Sequence, residues 1–336
     1  MQNNAARERT ALLVLVGALC VLPLLTSNVN VHHVIVMFLI YAALGEAWNI
    51  VTGLAGQTSF GHASFFGIGA YCAAMAWFKF RVTPWVGVLV GVALSAALAV
   101  VVSYPVFRLK GHYFAVATLA VGEIVMQLFV SWRWVEGATG IIIPVAKEGL
   151  TTFQFHSSKL PYIYISIAVF ALCALAFHYV SRSKFGFRLK AIRGSEEAAM
   201  AIGIDPARNK LAAMVLSAAL ASVAGSVYAQ YILYIDPFMV FATSISIKIV
   251  LLTVLGGLGS IWGPVLGSAI LIPLSEYTRV AFGGTGRGID LIIFGTLIVI
   301  VACFQPQGII GLVRAASSRA SKGGVTPDAG KAGTAA

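Results

Sequence analysis

Charge is what this sequence has least of. Only 10% of its 336 residues are charged, 12 of them acidic, while 59% are hydrophobic. A soluble domain carries about 25% charged and roughly 45–50% apolar residues. Too few charges remain to cover a water-facing surface, which excludes an ordinary soluble domain. Long apolar runs instead make lipid the solvent. Short alternating segments are missing, which excludes a transmembrane barrel. The fold class that remains is an all-α polytopic membrane protein, because helices satisfy their own backbone groups in hydrocarbon.

Cysteine is also scarce. Cys20, Cys72, Cys173 and Cys303 lie far apart, each inside an apolar run. No CxxC or Cys/His spacing marks a metal site or redox pair, so all four read as small core or lipid-facing residues. Enzyme motifs are missing too: there is no GxxxxGK[ST] phosphate loop, no HExxH and no GxSxG elbow. The chain is read as a non-enzyme without a cofactor of its own. If ATP drives its work, the hydrolysing site must be on another chain. The net charge of +11 would suggest nucleic acid in a soluble protein. Here it fits Lys and Arg concentrated in cytoplasmic loops, and no nucleic-acid partner is expected.

What is present is a series of apolar runs near the ~20 residues that cross the hydrocarbon. They predict about ten transmembrane helices, at 11–27, 31–51, 62–80, 85–107, 112–131, 161–180, 210–232, 241–257, 262–282 and 289–310. Arg7 and Arg9 before the run Ala11–Leu25 mimic a signal peptide, but no small-x-small cleavage site follows, so this is read as an uncleaved first span. With the N-terminus inside, fifteen Lys and Arg fall inside and seven outside, with Lys248 within a span. That bias predicts both termini cytoplasmic. One membrane domain over 1–314 is expected, with an outer loop at 132–160 and a charged inner loop at 181–209. Trp132 and Trp134 suit the membrane interface. The tail 315–336, rich in Ala, Gly and Ser, cannot bury a core and is expected to be a disordered cytoplasmic extension.

The apolar series is interrupted once by an uncharged polar stretch. Gly53, Gly56, Gln57, Ser59, Phe60, Gly61, His62, Ser64 and Gly67 fall within GLAGQTSFGHASFFG. Free backbone groups at membrane depth are tolerated only where protein or a water-filled cavity covers them. One reading is a broken helix or re-entrant turn beside a polar pathway. The other is a tight cytoplasmic turn followed by a small-residue packing face. A faint echo occurs at Gly256, Gly257 and Gly259, which again precede an apolar run containing Gly263 and Gly267. Duplicated halves would produce this, as would chance recurrence of glycine turns. Gly259, Gly263 and Gly267, like Gly87 and Gly91, are spaced by four and read as stripes for close helix contact.

Glu46, Glu123, Glu276 and Lys248 lie within or near the ends of spans. An ionised group at a helix centre costs at least ~2.5–3.5 kcal/mol, so each should face the bundle or water. Pairing of Lys248 with Glu123 or Glu276 and a scattered proton relay are both open, and Glu46 and Glu276 have the further option of an interface. In the inner loop, residues 195–203 predict a short amphipathic helix. Ser195 is its N-cap, Glu196 and Glu197 occupy the first turn, and Gly203 ends it. Such a helix outside the membrane suggests a docking lever for a soluble partner, against a merely solvated loop.

Glu197, Ala198 and Ala199, followed after three residues by Gly203, resemble the EAA-type cytoplasmic loop of bacterial ABC-importer permeases; the later Ile-x-Leu-Pro of that pattern is here Ala213–Leu216, without the proline. GLAGQTSFGHASFFGIGAY, HYFAVATLAVGEI, KAIRGSEEAAMAIGI, LGGLGSIWGPVLGSAI and FQPQGIIGLVR together resemble the branched-chain amino-acid importer permeases of the LivH/LivM type, with the balance toward LivM. Residues 132–144 depart from it, with Glu136–Gly140 where relatives often carry a Thr-Gly-Gly-rich run.

The resemblance covers about 30–314. It implies a type II-like ABC-importer permease bundle in the bacterial inner membrane, working by alternating access. It implies a second homologous permease, two cytoplasmic ATP-binding subunits that hold ATP and Mg, and a periplasmic substrate-binding protein. Glu196, Glu197, Ala198, Ala199 and Gly203 would couple to an ATPase. The 53–67 stretch with Glu123, Gly256, Gly257 and Gly259 would line the path or pack beside it. Branched-chain or related amino acids are the implied cargo. Urea or short amides on the same machine, and an ion-coupled secondary transporter, are the alternatives.

Overall fold

The computed structural model describes residues 10, 14–26, 28–107, 109, 111–281, 295–296 and 308–311. Most of the predicted span 289–310, the tail 315–336 and Cys303 lie outside these. The described residues form α1 (Val14–Leu24), α2 (Val29–Asn49), α3 (His62–Phe78), α4 (Pro84–Val106), α5 (His112–Ser131), α6 (Leu160–Arg182), α7 (Lys184–Gly194), α8 (Glu196–Ala201), α9 (Pro206–Ile232), α10 (Pro237–Val240), α11 (Thr243–Gly256) and α12 (Trp262–Ala281).

Six stretches are long and apolar enough to cross a membrane: Val29–Leu54, Pro84–Val106, His112–Ser131, Leu160–Arg182, Pro206–Ile232 and Pro237–Gly256. This is a multi-pass helical membrane protein. Three further predicted spans are less clear-cut. α1 is short, α3 has 17 residues, and α12 carries Glu276 and Arg279 near its end.

Helix starts follow local chemistry. The Asn28 side chain accepts from the Asn30 N–H, 2.9 Å, at the start of α2. Asp205 caps α9 by accepting from Arg208 N, with Pro206 at the first helical position. Asp236 does the same for α10 through Met239 N, 2.8 Å. Side-chain acceptors satisfy N–H groups that the first turn leaves orphaned, and proline there gives up no bond.

α2 is the central helix: 83% of its apolar window is buried, against 22% in α5. It packs on α6, α9, α11 and α12, while α3, α4 and α9 form a second tight group. Small residues allow this closeness. A Cβ on Gly69 would sit 2.0 Å from the Ser222 carbonyl oxygen, and one on Gly225 1.9 Å from that of Phe66. α3 and α9 therefore touch backbone to backbone.

The loop at 132–160 is folded down rather than free. β1 (Ile141–Ile142) pairs antiparallel with β2 (Tyr234–Ile235), in register Ile141 to Ile235. Trp85 stacks on Phe153 at 4.5 Å, and Trp77 Nε1 donates to the Pro144 carbonyl, 3.0 Å. Buried Gln154 accepts from Ala146 N, 2.7 Å, and donates to the Pro144 carbonyl, 3.0 Å.

Candidate functional site: the broken helix and its elbow

α2 ends in a π turn over Ile50–Leu54. Such wide turns leave some carbonyls without their usual partners and recur at functional sites. Gly56 follows at φ +72°. The chain then runs unwound to His62, where α3 begins. The sequence expectation of a break is met, and the structure shows what holds it.

Ser217 Oγ, on α9, donates to the Ala47 carbonyl, 2.6 Å. Its single proton is thereby used, so it accepts from His62 Nε2 at 2.8 Å. His62 Nδ1 is then the acceptor for Ser59 Oγ at 3.1 Å. Trp48 Nε1 donates to the Ser59 carbonyl, 2.7 Å, and Phe60 N to Thr118 Oγ1 on α5, 3.0 Å. Ala63 N donates to Ser246 Oγ on α11, 3.0 Å. Ser59, His62 and Ser217 are all buried. These neutral groups pin the break to three other helices, so Ser59 and His62 are turned inward. Gln57 and Thr58 stay half-buried and Gly56 is exposed.

The second glycine loop meets the first. Asn49 Oδ1 accepts from Gly259 N, 2.9 Å, and Asn49 Nδ2 donates to the Ser260 carbonyl, 3.0 Å. A Cβ on Gly259 would lie 3.2 Å from the Gly53 carbonyl oxygen. Gly256 is closed in more tightly: its Cβ would fall 1.7 Å from the Gly263 carbonyl oxygen. Gly257, at φ +128°, starts the loop. The two stretches that echo each other in sequence are thus in contact. Gly61 lies under the Thr118 carbonyl, and Gly67 faces the ring of buried Phe241, whose Cε1 would be 2.3 Å from an added Cβ. Ser64 is buried with no hydrogen bond to its hydroxyl among the described residues.

The four intramembrane ionisable groups separate. Glu276 pairs with Arg279 at 2.6 Å and lies 3.6 Å from His33. Lys248 Nζ reaches Ser275 Oγ, 3.4 Å, on the residue before Glu276 in α12. Glu46, an interface candidate by sequence, is fully buried, and neither carboxyl oxygen has a hydrogen-bond partner among the described residues. Glu123 is not drawn into the His62 network. It lies exposed near the middle of α5, 3.4 Å from Gln127.

On the elbow, the predicted short helix is present. Ser195 accepts from Ala198 N, 3.2 Å, and caps α8. Gly203, at φ +83°, turns the chain out, while Ile204 N donates back to the Ala199 carbonyl, 3.0 Å. Glu196 pairs with buried Lys210 at 2.7 Å, fixing α8 to α9. Glu197, Ala198, Met200 and Ile202 are exposed, the last at 74%, while Ala199 is buried. Sequence reasoning missed α7. Its signal was there in Phe185, Leu189 and Ile192, an i, i+4, i+7 stripe of which Leu189 and Ile192 are buried. It also missed Asn49, Thr118, Ser217 and Ser246, for which no local pattern exists. No cluster of His, Cys, Asp or Glu suited to a metal occurs among the described residues.

Residues 30–302 match the family described as branched-chain amino acid transport system / permease component. The chain is 26% identical to the high-affinity branched-chain amino acid transport system permease protein LivM of Salmonella typhimurium strain LT2, over 94% of this chain and 77% of that protein. It is 25% identical to LivM of Escherichia coli strain K12 over the same shares. The LivH permease of that organism is 25% identical over 81% of this chain and 91% of its own length. No solved structure matches. A membrane bundle interrupted by two interlocked glycine loops, with a capped helix outside it and this match along most of its length, belongs to the branched-chain amino-acid transport permease family of ABC transporters and is LivM-like.

Proposed function

We propose that this chain is one permease subunit of an ATP-driven importer that moves branched-chain or related amino acids across a bacterial inner membrane by alternating access. Both termini and α8 lie on the cytoplasmic side. Two ATP-binding subunits, which hold ATP and Mg, dock on Glu196–Gly203. A second, homologous permease completes the path, and a periplasmic binding protein delivers substrate against the folded outer loop.

The observation that carries this reading is Glu123. It sits mid-span on α5, the least buried of the six long apolar spans among the described residues, and its side chain is exposed. An ionised residue facing lipid there costs at least ~2.5–3.5 kcal/mol. A second permease or an aqueous path removes that cost. α5 is then the seam, and the break at Gly53–Gly67, bonded to α5 through Thr118, stands beside it with Gly256, Gly257 and Gly259. Half-buried Gln57 and Thr58 offer neutral hydrogen bonds, which suit a zwitterion better than charged walls that would trap it.

The test is docking. Glu197→Lys and Gly203→Asp should abolish co-purification of the ATP-binding subunits while membrane insertion stays at the parent level. Wild-type recovery of those subunits with both variants, or leucine uptake by vesicles holding this chain without any ATPase, overturns the proposal. The latter result would favour an ion-coupled carrier.

A further inference from the structure

Among the described residues, two side-chain routes tie α8 to the membrane bundle, besides its continuation into α9. One is the Glu196–Lys210 pair into α9. The other passes through α7. Only Ser195 separates the two helices, and Arg193 stands in the last turn of α7. The Arg193 guanidinium donates through Nη1 to the Gly53 carbonyl, within the π turn that ends α2. The same Nη1 lies 3.3 Å from where a Cβ on Gly259 would be, and Arg193 Cγ 2.9 Å from one on Gly56. A helix C-terminus exposes orphaned carbonyls and a partial negative charge, so a cation placed there is favoured twice. Glycine at 56 and 259 leaves room for the side chain to enter between the two loops.

We infer that Arg193 is a positioning residue that ties the ATPase-facing elbow to the broken helix, so that displacement of α8 is transmitted to the two glycine loops. This deepens the proposed function and rests on the docking of an ATPase at α8. Arginine is suited to the role because its planar fork holds a fixed direction, which a lysine ammonium does not. The Glu196–Lys210 pair acts on α9, which reaches the break from its far side through Ser217 and His62. Arg193 reaches the segment where α2 and the 256–260 loop meet, and there a small shift changes whether the chain is open beside Gln57.

The experiment uses the complete transporter in a cysteine-free background, with Ile202→Cys as reporter on α8 and Gln57→Cys as reporter in the break. Modification by a water-soluble maleimide is timed without nucleotide and with ATP plus vanadate. With Arg193 intact, Ile202→Cys should be shielded by the ATPase, and the rate at Gln57→Cys should change by about fivefold or more, the low end of measured coupling between sites. Arg193→Ala should leave the shielding intact and abolish the nucleotide response at Gln57→Cys. Arg193→Lys, which keeps charge and stem, should do likewise and serves where the alanine variant fails to assemble. An unchanged Gln57→Cys response in an assembled Arg193 variant, or no response with Arg193 intact, overturns the inference. Loss of Ile202→Cys shielding with Arg193 intact overturns the docking reading beneath it.

Discussion

Replacing Gly225 by alanine tests whether α3 and α9 are held by backbone contact. The added Cβ would stand 1.9 Å from the Phe66 carbonyl oxygen and 2.7 Å from its carbon. Ordinary contact begins at 3.4 Å, so the helices must part by about 1.5 Å there. The obstacle is backbone in a buried helix, not the end of a flexible side chain. Overpacking of this kind costs ~1–3 kcal/mol, and rigid backbone on both sides places it near the top of that range. Alanine recovers ~1 kcal/mol of helix propensity, which leaves a net loss of about 2 kcal/mol. At ~2.1 cal/mol/K of unfolding entropy per residue, a chain of 336 residues loses about 1.4 °C per kcal/mol, so Tm should fall by about 3 °C. Gly122→Ala is the control. It lies in α5, and its Cβ would meet nothing closer than Gly61 Cα at 3.8 Å, so propensity alone should leave it as stable as the parent or more so. With Cys20, Cys72 and Cys303 replaced by serine, a thiol-reactive dye reads both, since Cys173 is wholly buried until the bundle opens. Gly225→Ala melting at or above the parent temperature would refute the close-contact argument.

Two smaller predictions concern the segments outside the bundle. Ser195→Ala removes the acceptor for Ala198 N and should cost α8 about 1 kcal/mol; hydrogen exchange at that amide should quicken, and an unchanged rate would disprove the cap. On the loop at 132–160, the Glu148 carboxylate accepts from Ser157 Oγ at 2.8 Å, from Ser157 N at 2.5 Å and from His156 N at 2.6 Å. The Ser157 hydroxyl first, then these N–H groups, hold its carboxyl below the usual range. A depressed folded pKa adds order that is complete above the ordinary Glu value of ~4.3 and is lost as pH falls through the lowered value. Protection of the Ser157 amide should therefore persist through pH ~4.3 and disappear only below it; disappearance at or above that value contradicts the assignment.

Local chemistry made much of this protein legible before any coordinates. Scarce charge and long apolar runs dictated helices in lipid, because no other open structure satisfies its backbone there. Ser195, Glu196, Glu197 and Gly203 marked out α8, because capping needs only neighbours a few residues apart. The uncharged glycine stretch announced a break after α2. Span number was less readable: Glu276 and Arg279 dilute α12, and α3 is short, so apolarity alone does not mark either as a crossing.

Partnership across the bundle was decided only by tertiary structure. Nothing near His62 in sequence points to Ser217, nor from Asn49 to Gly259, since these contacts span 155 and 210 positions. The same holds for the fate of the acids. Burial left Glu46 enclosed, paired Glu276 with Arg279, and put Glu123 on the open face of α5, although all three look alike as carboxylates in apolar runs. Periodicity records which face of a helix is greasy; which helix covers that face is set by how the whole chain packs, and so is the meeting of the two glycine loops at Arg193.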